Sequence, residues 1–159
     1  MPTPERRLAR LGDRRRVPRG GRRPTDRAGQ YPPVLVADSD VFARRPLVHS
    51  LKLFGFQVEE ATNGRDLTEA IESSHPHVIV AEITLPGSSR LRTLFADDRR
   101  IPVIVTTTDT AIPVSPEASG LLMKPFPLAA LLNELRRVLR QVRIAADGVL
   151  GAPEQLRPL

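Results

Sequence analysis

The 159-residue chain has no cysteine and no tryptophan, and its aromatic residues are five Phe and one Tyr. Without cysteine there can be no disulfide, thiolate metal site or thiol catalysis. With no signal peptide visible either, a reducing compartment, the cytoplasm, is expected. No apolar run approaches the roughly 20 residues that a membrane-spanning helix requires. No Gly-rich phosphate loop follows a predicted strand, which argues against nucleotide binding. His75 and His77 lack a third metal-ligating neighbour and read as surface loop residues.

What is present is unevenly distributed. The formal net charge is +6. Residues 1–33 hold ten arginines against Glu5, Asp13 and Asp26, a balance of +7, so the remainder of the chain carries −1. This arm is rich in Arg, Pro and Gly and has no hydrophobic period, so it cannot bury enough surface to offset its ordering entropy. It reads as a disordered tail. An Arg-rich arm can also neutralise nucleic-acid phosphates or attract an acidic partner, although Tyr31 is its only aromatic residue.

From Val34 onward, strands alternate with helices. Val34-Leu35-Val36-Ala37 ends at Asp38-Ser39-Asp40, and a helix follows with Leu47, Val48, Leu51 and Phe54 on one face, stopping at Gly55. Pro46 is awkward inside it, so a late start is expected. Phe56-Gln57-Val58 is a short second strand, and Asn63-Gly64 can cap a helix bearing Leu67, Ala70 and Ile71. The run Val78–Gly87, VIVAEITLPG, is the central strand, broken by Leu85-Pro86-Gly87 and ending near Glu82. Leu91, Leu94 and Phe95 suggest a brief third helix. A strand over Ile101–Val105 leads into Thr106-Thr107-Thr108, and Pro113 and Pro116 leave no room for a full fourth helix. Leu121-Leu122-Met123 is the fifth strand. The last helix opens at Pro127 and carries the stripe Leu128, Leu131, Leu132, Leu135 and Leu139.

Five such units predict a doubly wound α/β sandwich of the flavodoxin-like kind. Its parallel sheet has order 2-1-3-4-5, and its third and fourth helices are shortened. The organisation expected is a tail at 1–33, one domain at 34–143 and a flexible tail at 144–159. In an open α/β sheet, function gathers at the carboxyl ends of the strands. Asp38-Ser39, Glu82, Thr107 and Lys124 all fall there.

With VLVADSD, FGFQVEEATNG, HPHVIVAEITLPG, IPVIVTTT and LLMKPF in this order and spacing, the chain resembles a response-regulator receiver domain of bacterial two-component signalling, from Val34 to about Arg143. The resemblance implies an aspartate phosphoacceptor after the third strand and Mg²⁺ held by that residue and by consecutive acids after the first. It also implies a Thr or Ser contacting the phosphoryl group and a Lys pairing with it. Thr107, Lys124 and Asp38 match. Glu82 stands at the phosphoacceptor position, Ser39 where the second acid belongs, and Leu121 at the usually aromatic switch position three residues before the Lys.

These departures carry the functional expectation. Glutamate is one methylene longer than aspartate, which moves its oxygens off the line phosphoryl transfer needs. It also places a fixed negative charge where a phosphoryl oxygen would sit, within reach of Lys124 and Thr107. Ser39 removes one carboxylate from the cation site, so Mg²⁺ binding is weakened and no cofactor is expected; Asp40 lies one residue too far on. The expected protein is therefore a non-enzymatic, phosphorylation-independent signalling module in which Glu82 mimics a phosphoaspartate. A decayed receiver in which Glu82 merely neutralises Lys124 predicts the same fold. A functioning phosphorelay acceptor, or nucleic-acid binding through the arm, are alternatives. With no output domain recognised, action through a histidine kinase or an output protein is expected.

Overall fold

The computed structural model describes residues 31–87, 89 and 101–150, with side chains through Val142. It consists of β1 (Tyr31–Ala37), α1 (Val41–Leu53), β2 (Phe56–Ala61), α2 (Gly64–Ser74), β3 (Val78–Glu82), β4 (Val103–Thr107), β5 (Gly120–Met123) and α3 (Leu128–Leu150). The strands form one parallel sheet in the order β2-β1-β3-β4-β5, as expected from the alternation of elements. The third helix expected around Leu91–Phe95 lies outside the described residues. The stretch from Asp109 to Ser119 contains no helix.

Strand geometry sends alternate side chains to opposite faces, and the core divides accordingly. Val34, Val36, Val78, Val80, Ile104 and Leu122 pack with Val48 and Leu51 of α1 and with Leu131, Leu132, Leu135 and Val138 of α3. Leu35, Ala37, Ile79, Ala81, Val103 and Val105 pack on the other face with Leu67 of α2 and with Leu85. The inner strands are apolar on both sides because helices cover both faces.

Several boundaries differ from the sequence reading. β1 begins at Tyr31 rather than Val34, and Tyr31 stacks on Phe56 with ring centroids 4.8 Å apart, so the last residues of the supposed tail belong to the sheet. α3 is helical through Leu150, beyond the expected domain end at 143. β4 is shifted forward to Val103–Thr107, because β-branched threonines suit a buried pleat as well as valine does.

α1 does not start late. Asp40 caps it by accepting a bond from the Phe42 amide at 2.8 Å, and Pro46 lies inside the helix. Proline removes one helical donor, that to the Phe42 carbonyl. Phe42 and Pro46 are both exposed, so the orphaned carbonyl is on the solvent side of the helix.

At α2 the expected cap is present. Asn63 Oδ1 accepts from the amides of Arg65 and Asp66, both at 2.9 Å, and the Asp66 carboxylate accepts from the Thr62 hydroxyl. That hydroxyl bond is the main reason the Asp66 carboxyl is held below its ordinary value. Gly64 is required by a close approach: a Cβ there would lie 2.3 Å from the Gly87 carbonyl oxygen. The Gly64 amide donates to the Pro86 carbonyl at 2.7 Å, tying the turn after β3 to the start of α2.

Candidate functional site

Asp38, Glu82, Thr106 and Lys124 each follow, by two residues, a side chain of the α1/α3 core face (Val36, Val80, Ile104 and Leu122). Period-two alternation therefore sends all four to that face at the carboxyl end of the sheet. Neighbouring registers, Ala37 opposite Ala81 and Glu82 opposite Thr106, bring them side by side.

Lys124 is the hub. Its Nζ lies 2.5 Å from Asp38 Oδ2 and 3.4 Å from Glu82 Oε1. The facing of Glu82 and Lys124 agrees with the sequence reading. The shorter contact to Asp38 was not anticipated, because nothing in strand spacing distinguishes a lateral from a diagonal partner. Burial works against the Lys124 charge, but the two carboxylates outweigh it and raise its pKa above the ordinary value.

Ser39 has a different role from that of a missing acid. Its hydroxyl donates to Glu82 Oε2 at 2.9 Å, and its amide donates to the same oxygen at 3.3 Å. Burial alone would raise the Glu82 pKa. The Ser39 hydroxyl, the Lys124 ammonium and the Ser39 amide together pull it below the ordinary glutamate value. Ser39 and Glu82 are thus joined: the Glu82 side chain at the end of β3 reaches the hydroxyl and amide that follow β1. An acid at 39 would meet Glu82 as a like charge.

Asp38 is also fully engaged. Its Oδ1 accepts from the Asp40 amide at 2.8 Å, and its carbonyl accepts from Arg44 Nη1 at 2.7 Å. Arg44 is buried and extends from α1 to Glu60 Oε2 at 2.9 Å, linking the ends of β1 and β2. The only sequence signal for Arg44 was its place four residues before Val48, on the buried side of α1. Asp40 is turned away from the cluster to cap α1, a role the sequence reading had not assigned to it. Among the described residues, no three acidic or histidine side chains converge as ligands for one metal ion. The two carboxylates nearest such a position, Asp38 and Glu82, both contact the Lys124 ammonium.

Thr107 is placed differently from the expectation that it faces Glu82. Its hydroxyl donates to the Asp109 carbonyl at 3.1 Å and accepts from the Asp109 amide at 3.0 Å. It shares strand parity with Val103 and Val105, toward the α2 face. The two-residue shift of the β4 boundary leaves side-chain parity unchanged, and alternation from Ile104 puts Thr106 on the face of Glu82. Leu121 is 47% exposed on the edge strand β5. His75 ends α2 in a left-handed conformation, and both it and His77 are exposed.

The comparisons with known proteins agree with this geometry. The family model of the response regulator receiver domain matches residues 34–136. The chain is 34% identical over 122 residues to the C4-dicarboxylate transport transcriptional regulatory protein DctD of Pseudomonas aeruginosa, covering 72% of this chain and 26% of DctD. It is 33% identical over 118 residues to the response regulator MprA of Mycolicibacterium vanbaalenii, covering 68% of this chain and 50% of MprA. The chain therefore spans half or less of these relatives. Among solved structures, the chemotaxis response regulator CheY4 of Vibrio cholerae matches with a TM-score of 0.58 and 28% identity, over 67% of this chain and 98% of CheY4. The receiver domain of the Francisella response regulator 1452 shows the same fold at a TM-score of 0.60 and 23% identity, over 70% of this chain and 99% of that domain. The chain belongs to the response regulator receiver family, the signal-receiving modules of two-component systems. No described helix is long and apolar enough to cross a membrane.

Proposed function

We propose that this chain is a receiver module that works without being phosphorylated, Glu82 supplying a permanent anion in place of a phosphoaspartate, and that it acts by binding another signalling protein. The observation that carries the reading is the double engagement of Glu82, by Lys124 on one oxygen and by Ser39 on the other. A relic that only neutralised Lys124 would duplicate Asp38, which already lies closer to the ammonium. An acceptor carboxylate needs a free oxygen in line with the donor and a metal beside it. Here Mg²⁺ would have to displace the Lys124 contacts, so its binding is weak. The partner is a histidine kinase or an output protein reached in the cytoplasm.

The test is incubation with Mg²⁺ and beryllofluoride, followed by amide NMR. The wild type should show no saturable adduct, and an adduct on the wild type would mean a functioning phosphoacceptor. Glu82→Gln then asks whether the anion holds a state. Amide shifts extending to β4 and β5 support the mimic, whereas shifts confined to the neighbours of residue 82 reduce Glu82 to a relic.

A further inference from the structure

A cavity of about 510 Å³ opens beneath this polar network, between α1 and the connection from β5 to α3. Its walls are mostly apolar: Val36 and Val80 from the sheet, Leu47 and Pro46 from α1, and Phe126 and Leu128 from the connection. Asp38, Thr106 and Lys124 stand at its inner end and Ser50 at its side. A space of this size, apolar with a few convergent polar groups, is the form taken by small-molecule sites.

The second observation is Thr106. The residue is only 3% exposed, and its hydroxyl, which bonds no other group among the described residues, is open to the cavity rather than sealed in the core. An accessible hydroxyl of this kind can donate to or accept from whatever fills the cavity, water or ligand. Strand parity aims it into the cavity, beside Val36 and Val80. The Ser50 hydroxyl, also on the lining, is likewise without a partner there. The charged groups behave oppositely. Asp38 and Lys124 are already paired with each other, and Glu82 adds to the same cluster. A charged ligand head would find no unpaired counter-charge, and a carboxylate would be the third around one ammonium.

We infer that this cavity is a binding site for an uncharged, largely apolar small molecule whose hydroxyl or carbonyl group hydrogen-bonds Thr106. Such a ligand would lie against the Asp38–Lys124 pair and give the module a chemical input that needs no phosphoryl group. The inference goes beyond the reading of Glu82 and holds whether or not Glu82 mimics a phosphoaspartate.

The experiment titrates the full 159-residue chain with 2-naphthol, naphthalene-2-carboxylate and 2-naphthylmethylammonium, following amide shifts. We expect 2-naphthol to saturate at roughly millimolar concentration or below, with the largest shifts at Val36, Thr106 and Leu128. The two charged analogues should bind more weakly. Thr106→Val keeps the shape and removes only an unpaired hydroxyl, so it should fold, and it should weaken 2-naphthol binding roughly threefold to tenfold. Thr106→Ser should retain the affinity. Ala43→Leu, which fills the cavity from α1, should abolish saturation and gives an independent test if the valine variant does not fold. The inference is overturned by any of three results: no saturable shifts, charged analogues that bind as tightly as 2-naphthol, or Thr106→Val and Ala43→Leu proteins that bind it like the wild type.

Discussion

The two halves of the sheet's carboxyl end are built to different standards. On the β1–β3 side both carboxylates are engaged: Asp38 by Lys124, Asp40 and Arg44, and Glu82 by Ser39 and Lys124. On the β4–β5 side the Thr107 hydroxyl bonds to its own loop, the Thr106 hydroxyl has no partner among the described residues, and Leu121 and Met123 are exposed on the edge strand. The difference teaches that the polar network is held by direct bonds over short distances. The region beyond it is held by backbone pairing, with few side-chain contacts reporting the state of residue 82. If Glu82 is the permanent anion proposed above, the module has little need of a side chain that moves in answer to it, and Leu121 has no hydrogen-bonding group with which to make such a response.

Substitutions on the two sides should separate by size of effect. The largest loss is expected for Arg44→Ala, which removes the bond to the Asp38 carbonyl and the link to Glu60 and leaves buried stem volume unfilled. Unfolding in urea should show a loss of about 2–3 kcal/mol. A value near zero would mean that the β1 end is organised without α1.

Lys124→Met comes next, at about 1–3 kcal/mol near neutral pH, because Asp38 and Glu82 then face each other without a cation. Its pH dependence has a definite sign. The Glu82 pKa is lowered in the folded protein, so its contribution is complete above the ordinary value of 4.5 and is lost as pH falls through the lower folded-state value. The gap between wild type and Lys124→Met should therefore narrow below about pH 4.5. The Lys124 pKa is raised, so its own contribution persists below its ordinary value of 10.5 and fades only as pH rises past the folded-state value. A gap that stays constant on acidification would show that Glu82 is not held by this ammonium.

The smallest effect should come from Leu121→Ser. With nearly half its surface exposed, it should alter stability by no more than about 0.5 kcal/mol. A larger loss would reveal contacts on the β4–β5 side and weaken the contrast drawn between the halves.

Much of this was legible from residues taken locally. The leucine stripe of α3, the Asn63-Gly64 cap and the apolar runs of β1 and β3 each declare themselves within a few positions, since periodicity and capping are short-range effects. The sequence alone also located the conjunction of Asp38, Glu82 and Lys124, because strand ends in a parallel sheet of this order must meet. It did not show that Ser39 would bond Glu82, that Lys124 would approach Asp38 more closely, or that Thr106 rather than Thr107 would share their face. The first two depend on rotamers; the third depends on which face Ile104 takes, since alternation then assigns Thr106 and Thr107 to opposite faces. Arg44 was hidden for a related reason: an arginine on a helix reads as solvent-facing until the chain ends that receive it are in place. Composition and period thus determined which elements form and in what order they pair. The tertiary structure decided which polar groups find partners, because angstrom-scale distances between segments forty to ninety residues apart are fixed only when both core faces have closed.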